Sequence, residues 1–221
     1  MKQDGSYRLV CDYQELNKIT VWDVYSLPFL QSFTAELHGK WVFSKIDLKE
    51  AFLQVRVAPE DIKKITIATP FSAFCYNLMP FGLSGAAQTF QRFTTEVMRD
   101  LKKPADSLTP EEVTSFSYIA DISVASVDEK SHLEDLTTLF KRLSDYGLRI
   151  NPEKSEFSKP CLKFFGHYID ENCIQPLEEK VSAIQNMPIP STVKDLRRYL
   201  DMLNFYRRFI PLAAATLSWM G

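Results

Sequence analysis

The sequence predicts an α+β fold, on three observations. Stretches of strand composition come first and are not matched one for one by helices, and two helical patterns stand together at the C-terminal end. With 221 residues, 45% of them hydrophobic, the chain is long enough for one substantial core and too short for several domains. One globular unit with lobes is therefore expected.

The elements follow in order. WVFSKI (41–46) is apolar and rich in β-formers, LQVRV (53–57) alternates and KITIA (64–68) alternates again, giving three predicted strands. After the Pro80-Phe81-Gly82 turn, Ser84 is placed to cap a helix running to about Leu101, with Phe90, Phe93, Val97 and Leu101 on one face. FSYIADISVA (116–125) has strand composition. In the helix after it, Ser131 and Glu134 read as a capping box, Leu133, Leu136, Phe140 and Leu143 follow helical spacing, and Gly147 sits where a C-cap belongs. LKFFGHYI (162–169) is a second strand cluster, followed by predicted helices over 177–186 and 193–209. The Pro-bearing polar stretches 102–112 and 186–192 are the expected breaks.

Composition excludes several classes. A formal net charge of −2 rules out a polycation that holds nucleic acid through bulk charge, so any such binding needs a local patch. Seven Gly, twelve Pro and 13% aromatics exclude a low-complexity chain. Cys11, Cys75, Cys161 and Cys173 form no C-x-x-C pair, and His38, His132 and His167 lack ligand spacing, which argues against zinc. Free thiols point to a reducing compartment, and neither a signal-peptide apolar core nor a membrane-length apolar run is present. The expected setting is intracellular, cytoplasmic or nuclear, with no membrane partner.

Two acidic residues stand out chemically. Between Glu112 and Asp128 the only charged side chain is Asp121, inside an apolar and hydroxyl-bearing strand pattern. Burying a carboxylate without a partner costs several kcal/mol or keeps it protonated. Asp47 has the same look at the end of WVFSKI. Two such carboxylates on neighbouring strands make a hard-oxygen site of the kind Mg²⁺ uses when phosphates supply the remaining ligands. Spacing alone leaves open the plainer reading, an edge-strand or salt-bridged aspartate.

Seven ordered blocks resolve the alternatives: YRLVCDYQELNKIT (7–20), FSKIDLKEAFLQV (43–55), LMPFGLSGAAQTFQR (78–92), YIADISVAS (118–126), GLRINPEKSEF (147–157), FFGH (164–167) and VKDLRRYLDMLNFYRRFIP (193–211). In this order they resemble the reverse transcriptase domain of Ty3/gypsy-type long-terminal-repeat retroelements. The resemblance implies a right-hand polymerase fold: a palm sheet packed on helices, part of the fingers and part of the thumb. Over residues 1–221 it places fingers at 1–40 and 56–85, palm at 41–55 and 86–171, and connection and start of thumb at 172–221. It also implies that the upstream fingers, the rest of the thumb, and the ribonuclease H, protease and integrase segments of a Pol polyprotein lie outside this chain.

By the same resemblance, Asp47 matches the first metal-binding aspartate and Phe52 the aromatic steric gate under the incoming sugar. Arg8 matches a fingers arginine that contacts the nucleotide phosphates, and Lys2 stands near the place of a fingers lysine. Phe81 and Gly82 match the loop that presses on the template-nucleotide pair, with Gln91 on the helix behind, all grouped as nucleotide-binding. A glycine suits that loop wherever the backbone must approach a ligand closely. Lys154 matches a basic residue that assists pyrophosphate departure, with a solvated surface lysine as the alternative. Phe164, Phe165 and Gly166 match the primer grip. The implied cofactors are two Mg²⁺ or Mn²⁺ ions. The implied partners are an RNA or DNA template with its primer and deoxynucleoside triphosphates.

One departure matters. The family signature Tyr-x-Asp-Asp, on a tight hairpin, reads Tyr118-Ile119-Ala120-Asp121 here. Asp121 matches the second acid, and alanine stands where the first normally holds both ions. Bridging ions about 3.5–4 Å apart requires carboxylate oxygens that alanine lacks, so severe impairment is expected. A non-catalytic nucleic-acid-binding protein or a relic fragment is the alternative. A milder departure is Gln14, where the family commonly has arginine.

Charge is unevenly spread. Residues 191–221 carry Lys194, Arg197, Arg198, Arg207 and Arg208 against Asp195 and Asp201, a local +3 that leaves −5 for the rest. Interleaved with Tyr199, Phe205, Tyr206 and Phe209, they suit a helix that packs through aromatics and offers cations to a phosphate backbone. The resemblance makes this the start of the thumb, binding the template-primer largely without sequence preference and with strong salt sensitivity.

Overall fold

A computed structural model describes residues 10–28, 36–37, 39–99, 101, 113–170 and 174–211. Lys2, Arg8 and the predicted break at 102–112 lie outside them. The chain divides into two compact units, Met1–Lys159 and Pro160–Gly221.

The first unit begins with a short helix, α1 (Gln14–Ile19), and is built around strand β1 (Val42–Asp47). A small ribbon, β2 (Ile67–Ala68) with β3 (Ala73–Phe74), precedes helix α2 (Ala86–Met98). The hairpin β4 (Ser115–Tyr118) and β5 (Asp121–Ser126) leads into helix α3 (Glu129–Asp145) and strand β6 (Glu156–Lys159). The antiparallel sheet runs β4-β5-β1-β6.

Side-chain alternation sorts its two faces. Ile46, Ile122 and Val124 join Phe90 and Val97 of α2 and Leu136, Leu139 and Leu143 of α3 in one apolar cluster. Burying a side chain of this size stabilises by about 1.5–3 kcal/mol, which fixes the register and therefore what the opposite face displays. That opposite face carries Lys45 and Asp47.

Several predicted elements take other forms. LQVRV is not a strand: Ala51–Gln54 makes a 3₁₀ turn after Glu50, whose φ is +51°, and only Arg56 pairs, with Leu78. KITIA shortens to β2, behind a 3₁₀ turn at Ile62–Ile65. FSYIADISVA folds back on itself as β4 and β5. Asp128, not Ser131, caps α3 through its bond from the Ser131 amide, and Ser131 is buried in the first turn. Gly85, not Ser84, is the N-cap of α2, and no side chain caps the helix. Gly147, with φ +69°, does end α3, and the Leu148 amide reaches back to the Leu143 carbonyl.

The second unit is a three-stranded sheet, β7 (Cys161–Phe164), β8 (His167–Asp170) and β9 (Ile174–Pro176), with helices α4 (Glu178–Gln185) and α5 (Val193–Phe205). A complete Thr192–Asp195 capping box starts α5. The helix predicted to 209 ends at Phe205, and Arg207–Phe209 tightens into a 3₁₀ turn.

Candidate active site

Asp47 and Asp121 are direct partners across β1 and β5, so their side chains leave the sheet side by side on one face. Leu48 N donates to the Ala120 carbonyl at 2.9 Å, which ties the hairpin turn to the end of β1. The turn consists of Ile119 and Ala120 between the paired Tyr118 and Asp121. Ile119 has φ +51°, a conformation a β-branched residue keeps only where its surroundings enforce it.

Gln91 enforces it. Its fully buried amide accepts from Ile119 N at 2.6 Å and donates to the Ser117 carbonyl at 3.0 Å. This corrects the expectation that Gln91 binds nucleotide. The side chain has no exposed surface and pins the hairpin from beneath.

A second loop closes over the end of β1. Asn151 N donates to the Asp47 carbonyl at 2.7 Å, and Asp47 N donates to Ser155 Oγ at 3.1 Å. The 3₁₀ turn Pro152–Lys154 thus hangs beside the carboxylates. Burial raises the Asp47 carboxyl above its ordinary range, and the charge of Asp121 adds to that effect. The ammonium groups of Lys154 and Lys45 and a hydrogen bond from Asn151 act in the opposite direction. Lys45 Nζ lies 3.4 Å from Asp121 Oδ1.

Asp47, Asn151 and Lys154 border a cavity of about 780 Å³ that Ala120, Phe52, Phe81 and Tyr76 also line, whereas Asp121 and Lys45 are not part of its lining. The Phe52 ring stands 5.4 Å from Phe81 and 5.7 Å from Phe90, so the core sets its orientation while it lines the cavity. Gly82 has φ +103°, and a Cβ there would lie 2.7 Å from the Cys11 carbonyl oxygen. What requires the glycine is the close approach of the chain's own N-terminal segment, not the ligand approach expected from sequence. Asn17 fastens the same loop, donating to the Gly82 carbonyl and accepting from Ser84 N, each at 2.9 Å.

In the second unit, the β7–β8 turn is Phe165-Gly166, with φ +55° and +76°. Phe164, expected in the primer grip, is buried at 1% exposure and belongs to the core. Phe165 and Gly166 line a hollow of about 860 Å³ together with Lys194, Arg197 and Arg198. Arg207 is exposed beyond α5, and the Arg208 guanidinium lies 5.1 Å from the centre of the Phe209 ring. A Cβ on Gly166 would overlap the Tyr206 hydroxyl, which donates to the Gly166 carbonyl at 3.4 Å.

Lys45, Asn151 and Tyr76 are the site residues that sequence reasoning missed. For Lys45 a signal existed: two positions before Asp47 in a strand, it must share that residue's face.

A profile of the reverse transcriptase (RNA-dependent DNA polymerase) family matches residues 1–169. The chain belongs to the reverse transcriptase family. Transposon Tf2-3 polyprotein of Schizosaccharomyces pombe is 32% identical to this reverse transcriptase domain over 210 residues, 95% of the chain and 15% of the polyprotein. Tf2-7 polyprotein of the same organism is 31% identical with the same coverage. The domain thus spans about a seventh of the curated relatives it matches, which are of Ty3/gypsy type.

Among solved structures, the foamy viral protease-reverse transcriptase in complex with double-stranded DNA superimposes with a TM-score of 0.80. It is 22% identical, covering 99% of this chain and 37% of the other. The foamy viral complex with RNA/DNA hybrid gives 0.70 at 22% identity, covering 92% and 26%. These likenesses establish the α+β polymerase fold for the reverse transcriptase domain.

Proposed function

We propose that this reverse transcriptase domain is the template-directed DNA-synthesising part of a retroelement Pol polyprotein, working on a primed RNA or DNA template with deoxynucleoside triphosphates, and that it is severely impaired as written. The observation that carries the reading is the pairing of Asp47 with Asp121 at a hairpin in which alanine, Ala120, directly precedes Asp121.

Asp47 and Asp121 supply carboxylate oxygens enough for one Mg²⁺ or Mn²⁺ whose other positions phosphate oxygens fill. The bridged pair of ions does not fit, because Ala120 offers no side-chain oxygen and, among the described residues, no three His, Cys, Asp or Glu side chains come together. A single bound ion would neutralise phosphate charge and hold the triphosphate in place.

The chain's own residues have the remaining roles. Phe52 forms the floor under the incoming sugar, excluding a 2′-hydroxyl by bulk. Phe81 and Gly82 present a loop, locked by Asn17, to the templating pair. Lys154 stands on the carboxylate side of the cavity with an ammonium group suited to a departing pyrophosphate. Phe165 and Gly166 position the primer end, and Lys194, Arg197, Arg198, Arg207 and Arg208 hold the duplex backbone. Arg8 and Lys2 complete the nucleotide contacts in this reading. The intracellular setting follows from it, and no helix among the described residues is long and apolar enough to cross a membrane.

Ala120 favours one other reading, a domain kept for nucleic-acid binding without chemistry. Primer extension on poly(rA)/oligo(dT) by Ala120→Asp, with Ala120→Asp/Asp47→Asn as the control, separates the two. Extension that the second substitution abolishes supports the polymerase reading. Undiminished duplex binding without extension by Ala120→Asp supports the other.

A further inference from the structure

The two carboxylates at the end of the sheet come with their own cations. Lys45 and Asp47 lie on the same face of β1, and the strand register sets Asp47 against Asp121 and Lys45 against Ser123, one step along the same face. The Lys45 ammonium reaches Asp121 Oδ1 at 3.4 Å, with the lysine side chain 26% and the aspartate 34% exposed. Lys154 lines the cavity with Asp47, and its charge acts on that carboxylate.

Charge counting on these four groups gives two negatives and two positives. With an aspartate at position 120 the cluster would hold one uncompensated negative charge. With Ala120 it holds none.

We infer that Lys45 is a built-in counter-ion that occupies Asp121 and competes with a divalent cation for the carboxylate pair. The inference rests on the reading of Asp47 and Asp121 as the cation site and deepens it, since it names the residue that sets the site's affinity. A cation entering between the two carboxylates must displace the Lys45 ammonium from Asp121 or share the carboxylate with it. In either case it meets repulsion from a positive charge within a few ångströms, in a partly buried setting where solvent screens it incompletely. At Asp47 burial and then the charge of Asp121 disfavour ionisation most, and the ammonium groups of Lys154 and Lys45 offset them only in part. Ser44 and Ile46 on either side are fully buried, so the sheet fixes the backbone from which the Lys45 side chain reaches Asp121.

The test is direct Mn²⁺ binding to the full chain without nucleic acid, read from the loss of the free-ion electron paramagnetic resonance signal. The variants are Lys45→Met, Lys45→Gln and Lys45→Arg, with folding checked by circular dichroism. The expected result is that Lys45→Met and Lys45→Gln tighten Mn²⁺ binding about tenfold, equivalent to ~1.4 kcal/mol, while Lys45→Arg leaves it unchanged. Adding Asp121→Asn to Lys45→Gln is expected to remove the gain. Equal or weaker Mn²⁺ binding by a folded Lys45→Met or Lys45→Gln overturns the inference, as does tightening that survives Asp121→Asn. Extension by Ala120→Asp is measured separately, so a failure of the counter-ion role and a failure of the polymerase reading give different patterns.

Discussion

Replacing Gln91 with leucine removes both bonds that fasten the β4–β5 turn and leaves the Ile119 amide and Ser117 carbonyl without their partner. A buried polar group left unsatisfied costs about 1–3 kcal/mol, so a loss of about 2–4 kcal/mol is expected from denaturant unfolding. A loss under 0.5 kcal/mol would mean that the turn holds itself. Asp47 acts in the opposite direction. Its folded-state carboxyl is raised above the ordinary 3.8, chiefly by burial and then by Asp121, so the ionised form costs stability. That cost is fully present above the raised value and disappears as pH falls towards the ordinary one. Asp47→Asn should therefore melt about 2 °C higher than the parent chain at pH 7.5, with the gap closing near pH 4. An Asn variant that melts lower at neutral pH would contradict it. At this scale the sequence was readable where chemistry is exceptional. A lone aspartate in an apolar strand is conspicuous, and so is an alanine within Tyr-x-Asp-Asp. Gln91 and Phe164 were misread because family position says where a residue lies, and only packing says which way its side chain turns.

Elements are joined by a buried polar chain. Ser44 of β1 bonds His132 Nε2 at 2.6 Å, His132 Nδ1 meets Ser126 of β5 at 2.8 Å, and the Ser126 hydroxyl donates to Asp135 of α3. Ser158 N of β6 donates to Ser44 Oγ, so one neutral imidazole ties three strands to a helix. Burial holds the His132 pKa below 6.5, with Asp135 partly opposing. Its contribution to stability is complete above the unfolded value of 6.5 and is lost as pH falls below it. The melting temperature should drop between pH 7.5 and 5.5, and the drop should shrink in His132→Gln; an identical drop in both would exclude the histidine as its source. His167, lowered by burial as well, accounts for what remains. Element boundaries were the least legible part of the sequence. FSYIADISVA and LKFFGHYI have uniform strand composition, and the reversals at Ile119-Ala120 and Phe165-Gly166 depend on positive φ angles at Ile119, Phe165 and Gly166, of which only the glycine carries a turn signal in the sequence. LQVRV alternates like a strand, yet the turn after the left-handed Glu50 takes its first two residues.

For the molecule as a whole, a net charge of −2 combines a positive C-terminal segment with an acidic remainder. The fold class was legible because the strands and helices needed only hydrophobic periodicity. The division at Lys159 and Pro160 was not, since the boundary falls at the single residue Pro160 between two consecutive strands and not at either of the predicted breaks, 102–112 and 186–192. The central claim is that a reverse transcriptase architecture survives here around a site short of one carboxylate. The rate of primer extension on poly(rA)/oligo(dT), compared between the parent chain and Ala120→Asp in Mg²⁺ and in Mn²⁺, tests that claim most directly. Losing one preorganised catalytic group costs about 10²–10³ in rate. The account predicts that Ala120→Asp is at least about a hundredfold faster in both ions, with duplex affinity unchanged. A parent chain that extends within about tenfold of the variant, a difference of ~1.4 kcal/mol or less, would contradict it.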